Sequence, residues 1–396
     1  MTLTLVDVSV KEAFLHIAVS HPRDQTIFLQ RDGLTFMVLP AVADTNIVDP
    51  TLSENRAYVY RAILRTGGFT ISTSNEVGVH TLLSTSHDFS FQTFVLGVGN
   101  ASELYDVTIV NDSLAYAVGD MYLNDSTGRL DTDLYNFAVW DGHTWSVRRL
   151  YYDYHGQPEL SALQTIFSVN DHNLWVAGNG VQHWNGVSFQ SMELPASVWG
   201  PYLTNKVWAS EDEAYVGGDG GSIAFYNGAS WGRIEGGTTT RIRDVWGIAN
   251  RTTNVAYVLA DFPDEQTGRR IIRISENHQV DTIPWGFESH FYSLWTRNAI
   301  SLYVCGQGLF RNSGQGWRRI DIGADINMNC IRGNAENDII LVGGLGLIAH
   351  FNGLAWQRMS VSANAHLLSV AISGNTVVAV GTYGSRAVAV VGRRAG

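Results

Sequence analysis

The chain has 396 residues with 40 glycines, 12 tryptophans, 16 tyrosines and 16 phenylalanines, only 16% charged residues and a formal net charge of −11. Lys11 and Lys206 are its only lysines, so there is no basic stripe for a phosphate backbone and nucleic-acid binding is disfavoured. No apolar run approaches the roughly 20 residues of a membrane helix; the short apolar clusters instead read as many brief strands joined by tight turns, an all-β chain long enough for two domains.

The first segment, Met1 to Asp7, lacks the basic and apolar blocks of an export leader, so either the protein stays inside the cell or this is a mature form whose leader is absent from the numbering. Residues 2 to about 82 carry alternating stretches such as Ala13-Phe-Leu-His-Ile-Ala-Val19 and Thr26-Ile-Phe-Leu-Gln30, the pattern of a β-sandwich. Asp44 to Leu52 leads into Tyr58-Val-Tyr-Arg-Ala62, and Ser74 to Thr81 closes the module. This stretch resembles a fibronectin type III domain, whose Leu-to-Tyr corner spacing is kept by Leu52 and Tyr58. Glu54 replaces the usual proline, and an early core tryptophan is missing. The resemblance implies a sandwich over residues 1–83.

Residues 84–396 repeat. A short aromatic or aliphatic cluster ending in a small residue recurs at Tyr116-Ala-Val-Gly119, Trp175-Val-Ala-Gly178, Tyr215-Val-Gly-Gly218, Tyr257-Val-Leu-Ala260, Tyr303-Val-Cys-Gly306, Ile340-Leu-Val-Gly343 and Val378-Ala-Val-Gly381. Their spacings, 59, 40, 42, 46, 37 and 38 residues, bracket the ~40–50 residues of a four-stranded propeller blade. The clearest unit runs from Val207 to Trp231, with a first strand ending near Trp208, then Ala214 to Gly217, Ser222 to Tyr226, and a fourth strand carrying Trp231. A turn motif recurs at Trp140-Asp-Gly-His-Thr-Trp145, Trp184-Asn-Gly-Val-Ser-Phe189, Tyr226-Asn-Gly-Ala-Ser-Trp231, Asn312-Ser-Gly-Gln-Gly-Trp317 and Phe351-Asn-Gly-Leu-Ala-Trp356. Asn-Gly and Asp-Gly suit tight hairpins, so structure alone explains these motifs. The last unit, His366 to Arg394, supplies only three strands, and the β-rich segment at about 88–96 is the expected donor of the fourth. The fold expected is therefore all-β, an N-terminal sandwich followed by a seven-bladed β-propeller closed by an N-terminal strand.

The junction Ser86-His-Asp-Phe-Ser-Phe-Gln92, with Leu104-Tyr-Asp-Val-Thr-Ile109, Tyr116 to Ser126 and Tyr135 to Gly142, resembles the cell-surface or secreted fibronectin-propeller proteins of Bacteroidota and related bacteria. That resemblance implies an extracellular or cell-surface protein and assigns no activity.

Long insertions collect on one propeller face, where binding loops are expected. They run from Asp120 to Asn136 and Asp261 to Arg269 within units, and from Tyr151 to Leu163, Pro195 to Asn205 and Asp281 to Phe291 between them. Their aromatics and polar-tipped rings, Tyr151, Tyr152, Tyr154, His155, Trp199, Tyr202, Trp285, His290 and Tyr292, form the candidate surface for a glycan or a protein; packing between blades is the other role open to each ring. In the loop Asn124 to Asp133, the oxygen-bearing Asn124, Asp125, Asp131 and Asp133 are candidate ligands of a structural calcium, with a solvated acidic loop as the alternative. His155, His172, His183 and His350 lack metal-ligand spacing, and Gly217-Gly-Asp-Gly-Gly221 lacks the Gly-Lys-Ser/Thr of a phosphate loop. Cys305 and Cys330 are too few for a disulfide framework and read as two buried thiols, a single bridge being the alternative.

The sequence thus points to a non-catalytic extracellular binding or adhesion protein. A glycan-active hydrolase or lyase on the same face, marked by two carboxylates ~5–10 Å apart, and a homo-oligomeric structural subunit of a surface assembly are the alternatives.

Overall fold

The computed structural model describes residues 1–98, 101–154, 157–250, 254–262, 268–359, 361 and 364–395. Strict alternation drives the first strands together. Thr2–Val8, Ala13–Ala18 and Asp44–Asp49 form one antiparallel sheet; Leu34–Pro40, Thr26–Arg31, Ala57–Thr66, Phe69–Thr73 and Val77–His80 form a second. Leu15 and Ile17, Ile27 and Leu29, and Tyr58, Tyr60, Ala62 and Leu64 point inward at a spacing of two and share one core with Leu3 and Ile47. At its corner the Tyr58 hydroxyl accepts the Ser53 N–H at 2.9 Å.

Seven sheets of four antiparallel strands follow. Their first strands, numbered here as sheets one to seven, are Glu103–Asn111, Thr165–Asn170, Thr204–Ala209, Ile242–Ala249, Phe291–Thr296, Met328–Ala335 and His366–Ser373. Each touches the next, and the seventh touches the first, so the sheets stand in a closed ring around these strands. The seventh sheet takes its outer strand from Phe89–Leu96, which pairs with Arg386–Arg394 without a break from Leu96↔Ala387 to Phe89↔Arg394. Ring closure in this way covers what would otherwise be an open sheet edge.

The repeated turn motif works through its first polar side chain. Asn185 Oδ1 accepts the N–H groups of Val187 and Ser188, Asn227 those of Ala229 and Ser230, and Asp141 those of His143 and Thr144. The glycine that follows sits at φ +86° to +96° in these three turns, a conformation that side chains resist. The glycine ending the second strand serves a different need. A Cβ at Gly306 would lie 2.1 Å from the His290 carbonyl oxygen, and one at Gly381 2.0 Å from that of His366, because the first strand crosses close there. Cys305 and Cys330 are free thiols, both buried. Within the connection from Tyr151 to Leu163, Tyr152–Tyr154 and Gln157–Glu159 form a small hairpin.

The N-terminal sheets meet the ring on its short-turn side. Glu12 binds Arg311 through two bonds of 3.0 and 2.5 Å, Asn298 Nδ2 donates to Asp7 at 3.2 Å, and Asn337 Nδ2 donates to the Leu83 carbonyl at 2.6 Å. Asn298 and Asn337 lie in the turns between first and second strands, so the opposite side, which carries the long insertions, is left uncovered by these contacts.

Candidate functional site

The first strands begin on the long-insertion side, and six of the seven begin with a register shift. Pairing skips Tyr105, Asn205, Arg243, Tyr292, Asn329 and Leu368, each the extra residue of a β-bulge. A strand without a bulge sends consecutive side chains to opposite faces; a bulge turns two neighbours the same way. Here both the skipped residue and its successor reach the central channel. Tyr105 with Asp106, Asn205 with Lys206, Arg243 with Asp244, Tyr292 with Ser293, Asn329 with Cys330 and Leu368 with Ser369 line a pocket of about 110 Å³ at the channel mouth. Sheet two has no such shift, and Gln164, one residue before its first strand, lines the same pocket.

Two buried ion pairs close the channel beneath this mouth. Asp106 is 2% exposed; its Oδ2 accepts from Lys206 Nζ at 2.8 Å, Thr165 Oγ1 at 2.8 Å and the Ile166 N–H at 3.0 Å, while Oδ1 accepts from Ser369 at 2.6 Å. Burial pushes the Asp106 carboxyl up, but Lys206 and these hydrogen bonds outweigh it and hold the group below the usual carboxylate range. Asp244 accepts from Arg332 NH2 at 2.9 Å and NH1 at 3.1 Å, from Ser293 at 2.7 Å, and from the Val245 and Leu294 N–H groups. Burial pulls the Arg332 guanidinium down, and Asp244 more than reverses it. The guanidinium also lies over the Trp246 ring, 4.6 Å from its centroid. All seven sheets contribute to the plug or its hydrogen bonds. Below it, Val107, Ile109, Phe167, Trp246, Val370 and Ile372 line an apolar pocket of about 150 Å³ towards the short-turn side.

Arg243 stands apart from both pairs. Its Nε donates to the Asp261 carbonyl oxygen at 3.0 Å, and its guanidinium lies over the rings of Phe262 (5.6 Å) and Tyr292 (5.5 Å). Burial and then the adjacent Arg241 pull its pKa down. The nearby carboxylates are engaged elsewhere: Asp261 with Arg269 at 3.2 Å, His290 at 2.9 Å and the Phe291 N–H at 2.7 Å, and Asp219 with Arg241 at 3.3 Å.

The aromatics singled out from sequence occupy distinct places. Tyr292 lines the mouth, and His290 joins the Asp261–Arg269 cluster at its rim. Tyr151 and Tyr202 are 50% and 44% exposed. Tyr152 is buried beneath Gly180, and Trp199 is buried against Gly218 with its Nε1 donating to the Tyr202 carbonyl oxygen. Trp285 packs edge-on against Phe291, Phe310 and Trp317 and tilted on Phe287. The backbone of Tyr154 pairs with Gln157, and His155 lies outside the described residues. In the acidic loop, Asp125 Oδ1 accepts from the Thr127 hydroxyl and the N–H groups of Thr127 and Arg129, and Asp131 pairs with Arg149 at 2.6 Å. Asn124 bridges to Leu130, and the Asp133 carbonyl oxygen accepts from Arg149. Among the described residues no group of three or more His, Cys, Asp and Glu side chains gathers as metal ligands. Sequence reasoning passed over Tyr105, Asn205, Arg243 and Asn329; the available signal was a pair of consecutive channel residues opening six of the seven first strands, where alternation predicts one.

No family model and no curated protein matches the chain. Among solved structures, YCF48 bound to D1 peptide aligns with a TM-score of 0.57 at 12% identity, over 77% of this chain and 95% of that one. The WD40 beta-propeller domain of Doa1 aligns at 0.53 and 13% identity, over 77% and 97%. The extracellular domain of a putative hybrid two-component system from B. thetaiotaomicron aligns at 0.52 and 12% identity, over 76% of this chain but only 40% of that one. At such identities the likeness is one of fold: the closed ring of sheets is a β-propeller.

Proposed function

We propose that this chain is a non-catalytic extracellular binding protein, with a fibronectin type III-like sandwich over residues 1–83 and a seven-bladed propeller over 84–396 that presents its long-loop face to a protein partner. The sandwich reading is supported by its three-plus-five strand arrangement and by the Tyr58 hydroxyl on the Ser53 N–H. The blade number is supported by the cyclic contacts of the seven first strands.

The observation that carries the functional reading is the channel mouth, a polar pocket built by six bulges on the face the sandwich leaves open. The two carboxylates deepest in it, Asp106 and Asp244, are each committed to a buried cation and to further donors on both oxygens, which suits a fixed binding surface better than proton transfer. A protein partner fits the half-exposed Tyr151 and Tyr202, which lie in connections on the same long-insertion side, and YCF48, a neighbour in fold, has been solved with a peptide bound.

The test is a paired screen of wild type and a Tyr151→Ala/Tyr202→Ala variant on peptide and glycan arrays. Saturable peptide binding, weakened about tenfold in the variant as for loss of one or two interface anchors, supports the reading. Binding to glycans alone replaces the protein partner by a sugar, and binding to neither array overturns the reading.

A further inference from the structure

The charges lining the channel mouth do not balance. Lys206, Arg243 and Arg332 face Asp106 and Asp244. Lys206 is spent on Asp106 and Arg332 on Asp244, which leaves Arg243 as the surplus cation in a chain whose overall charge is −11. Its two terminal nitrogens have no hydrogen-bond partner among the described residues, while its Nε is fixed to the Asp261 carbonyl oxygen and its guanidinium carbon rests 5.6 Å from the Phe262 ring centroid and 5.5 Å from that of Tyr292. A guanidinium held in this way has lost the freedom it would surrender on binding, and its forked edge is the part that remains available. Arg241 adds positive potential from beside it. A planar carboxylate meets that edge with two parallel N–H···O bonds.

From this geometry we infer that Arg243 is a carboxylate-recognition site, taking a free C-terminus or an acidic side chain of a protein segment inserted into the channel mouth. The inference rests on the binding role proposed for the long-loop face and names the chemistry read there. A sugar acid presents the same group, but beside Arg243 the Tyr292 ring is already engaged by the guanidinium. The mouth is also small, about 110 Å³, and ends on the Lys206 and Arg332 plug, room for a carboxylate group and little more.

The test follows the Arg243 Nε–H signal in the full-length protein labelled with 15N-arginine, assigned by its loss in Arg243→Lys. The probes are acetate, acetyl-Gly-Gly-Ala with a free C-terminus, the same peptide as its amide, acetyl-Gly-Glu-Gly amide, and glucuronate. Acetate and either carboxylate-bearing peptide should shift the signal saturably, and the uncharged amide should leave it in place. Thermal-shift titrations with the same probes should show the affinity about tenfold weaker or worse in Arg243→Gln, as for loss of a charge-assisted pair, and only partly reduced in Arg243→Lys. The ligand-free melting temperatures of both variants should stay near that of wild type, separating lost recognition from lost fold. A shift with glucuronate and none with the peptides overturns the protein-segment assignment. No response to any carboxylate overturns the site itself. Peptide-array binding that depends on Tyr151 and Tyr202 yet is unchanged in Arg243→Gln sinks this inference while leaving the face-level reading in place.

Discussion

Glu336 is 1% exposed, and its pairing is incomplete. Its Oε1 accepts from Asn298 Nδ2 at 3.2 Å, Oε2 has no hydrogen-bond partner among the described residues, and Arg311, 3.7 Å away, is committed to Glu12. Burial pushes the carboxyl up to about 8, with Asp7 and Glu12 adding repulsion against the opposing pull of Arg311. A buried acid with a raised pKa keeps its proton in the folded state while the unfolded chain has lost it. Stability is therefore fully present below the ordinary glutamate value and declines as pH rises through about 8. Melting temperature should fall by several degrees between pH 6 and pH 9, and Glu336→Gln should remove most of that fall; an equal slope in the variant assigns the pH dependence to other groups.

At the scale of single elements, the propeller depends on where each second strand ends. Gly306 faces the His290 carbonyl oxygen so closely that a methyl group there has no room without a backbone shift. Gly306→Ala should cost about 1–3 kcal/mol in chemical denaturation, the range for overpacking. The fourth sheet carries Ala260 at the matching position, paired with Ile242, so a strand pair has some means of adjusting and the loss stays bounded. Loss below a few tenths of a kcal/mol removes close approach as the reason for the repeated glycine. These glycines mark the bulges indirectly. The residue opposite Gly306 is Phe291, and the skipped residue Tyr292 comes next; Leu104 opposite Gly119 and Leu367 opposite Gly381 precede Tyr105 and Leu368 in the same way.

Across the whole molecule, the proposed sandwich and propeller are joined by polar contacts more than by a shared apolar core. Arg311 lies 10% exposed with Glu12 as its bidentate partner, and its ring neighbour Tyr303 is fully enclosed. Glu12→Ala should destabilise the protein by about 2 kcal/mol, the usual loss for a hydrogen bond to a charged group. Because Arg311 would then turn to Glu336, the pH slope above pH 7 should also flatten; a double variant with Glu336→Gln should be less than additive, and strict additivity sets the two sites apart. Docking on the short turns leaves the long-loop side open, which is why the proposed binding surface is the channel mouth rather than the pocket behind the plug.

The sequence by itself determined what is local or periodic: the strand alternation of the first module, the Leu52–Tyr58 corner, the Asn-Gly and Asp-Gly turns with their side-chain caps, the repeat, and the Phe89–Leu96 strand needed by an incomplete last unit. These features come from backbone sterics and hydrogen bonds within a few residues, or from counting strands. Only the tertiary structure decided the channel. Asp106 meets Lys206 100 positions away, and Asp244 meets Arg332 88 positions away, because ring closure brings alternate sheets to one axis. The bulges that aim Arg243 and Tyr292 into the mouth shift strand register by one residue, and a single-residue shift reverses which side chains face inward. Tyr292 stood out as a loop aromatic, but alternation read along the chain gives no reason to turn Arg243 inward beside Asp244, so its guanidinium at the centre did not.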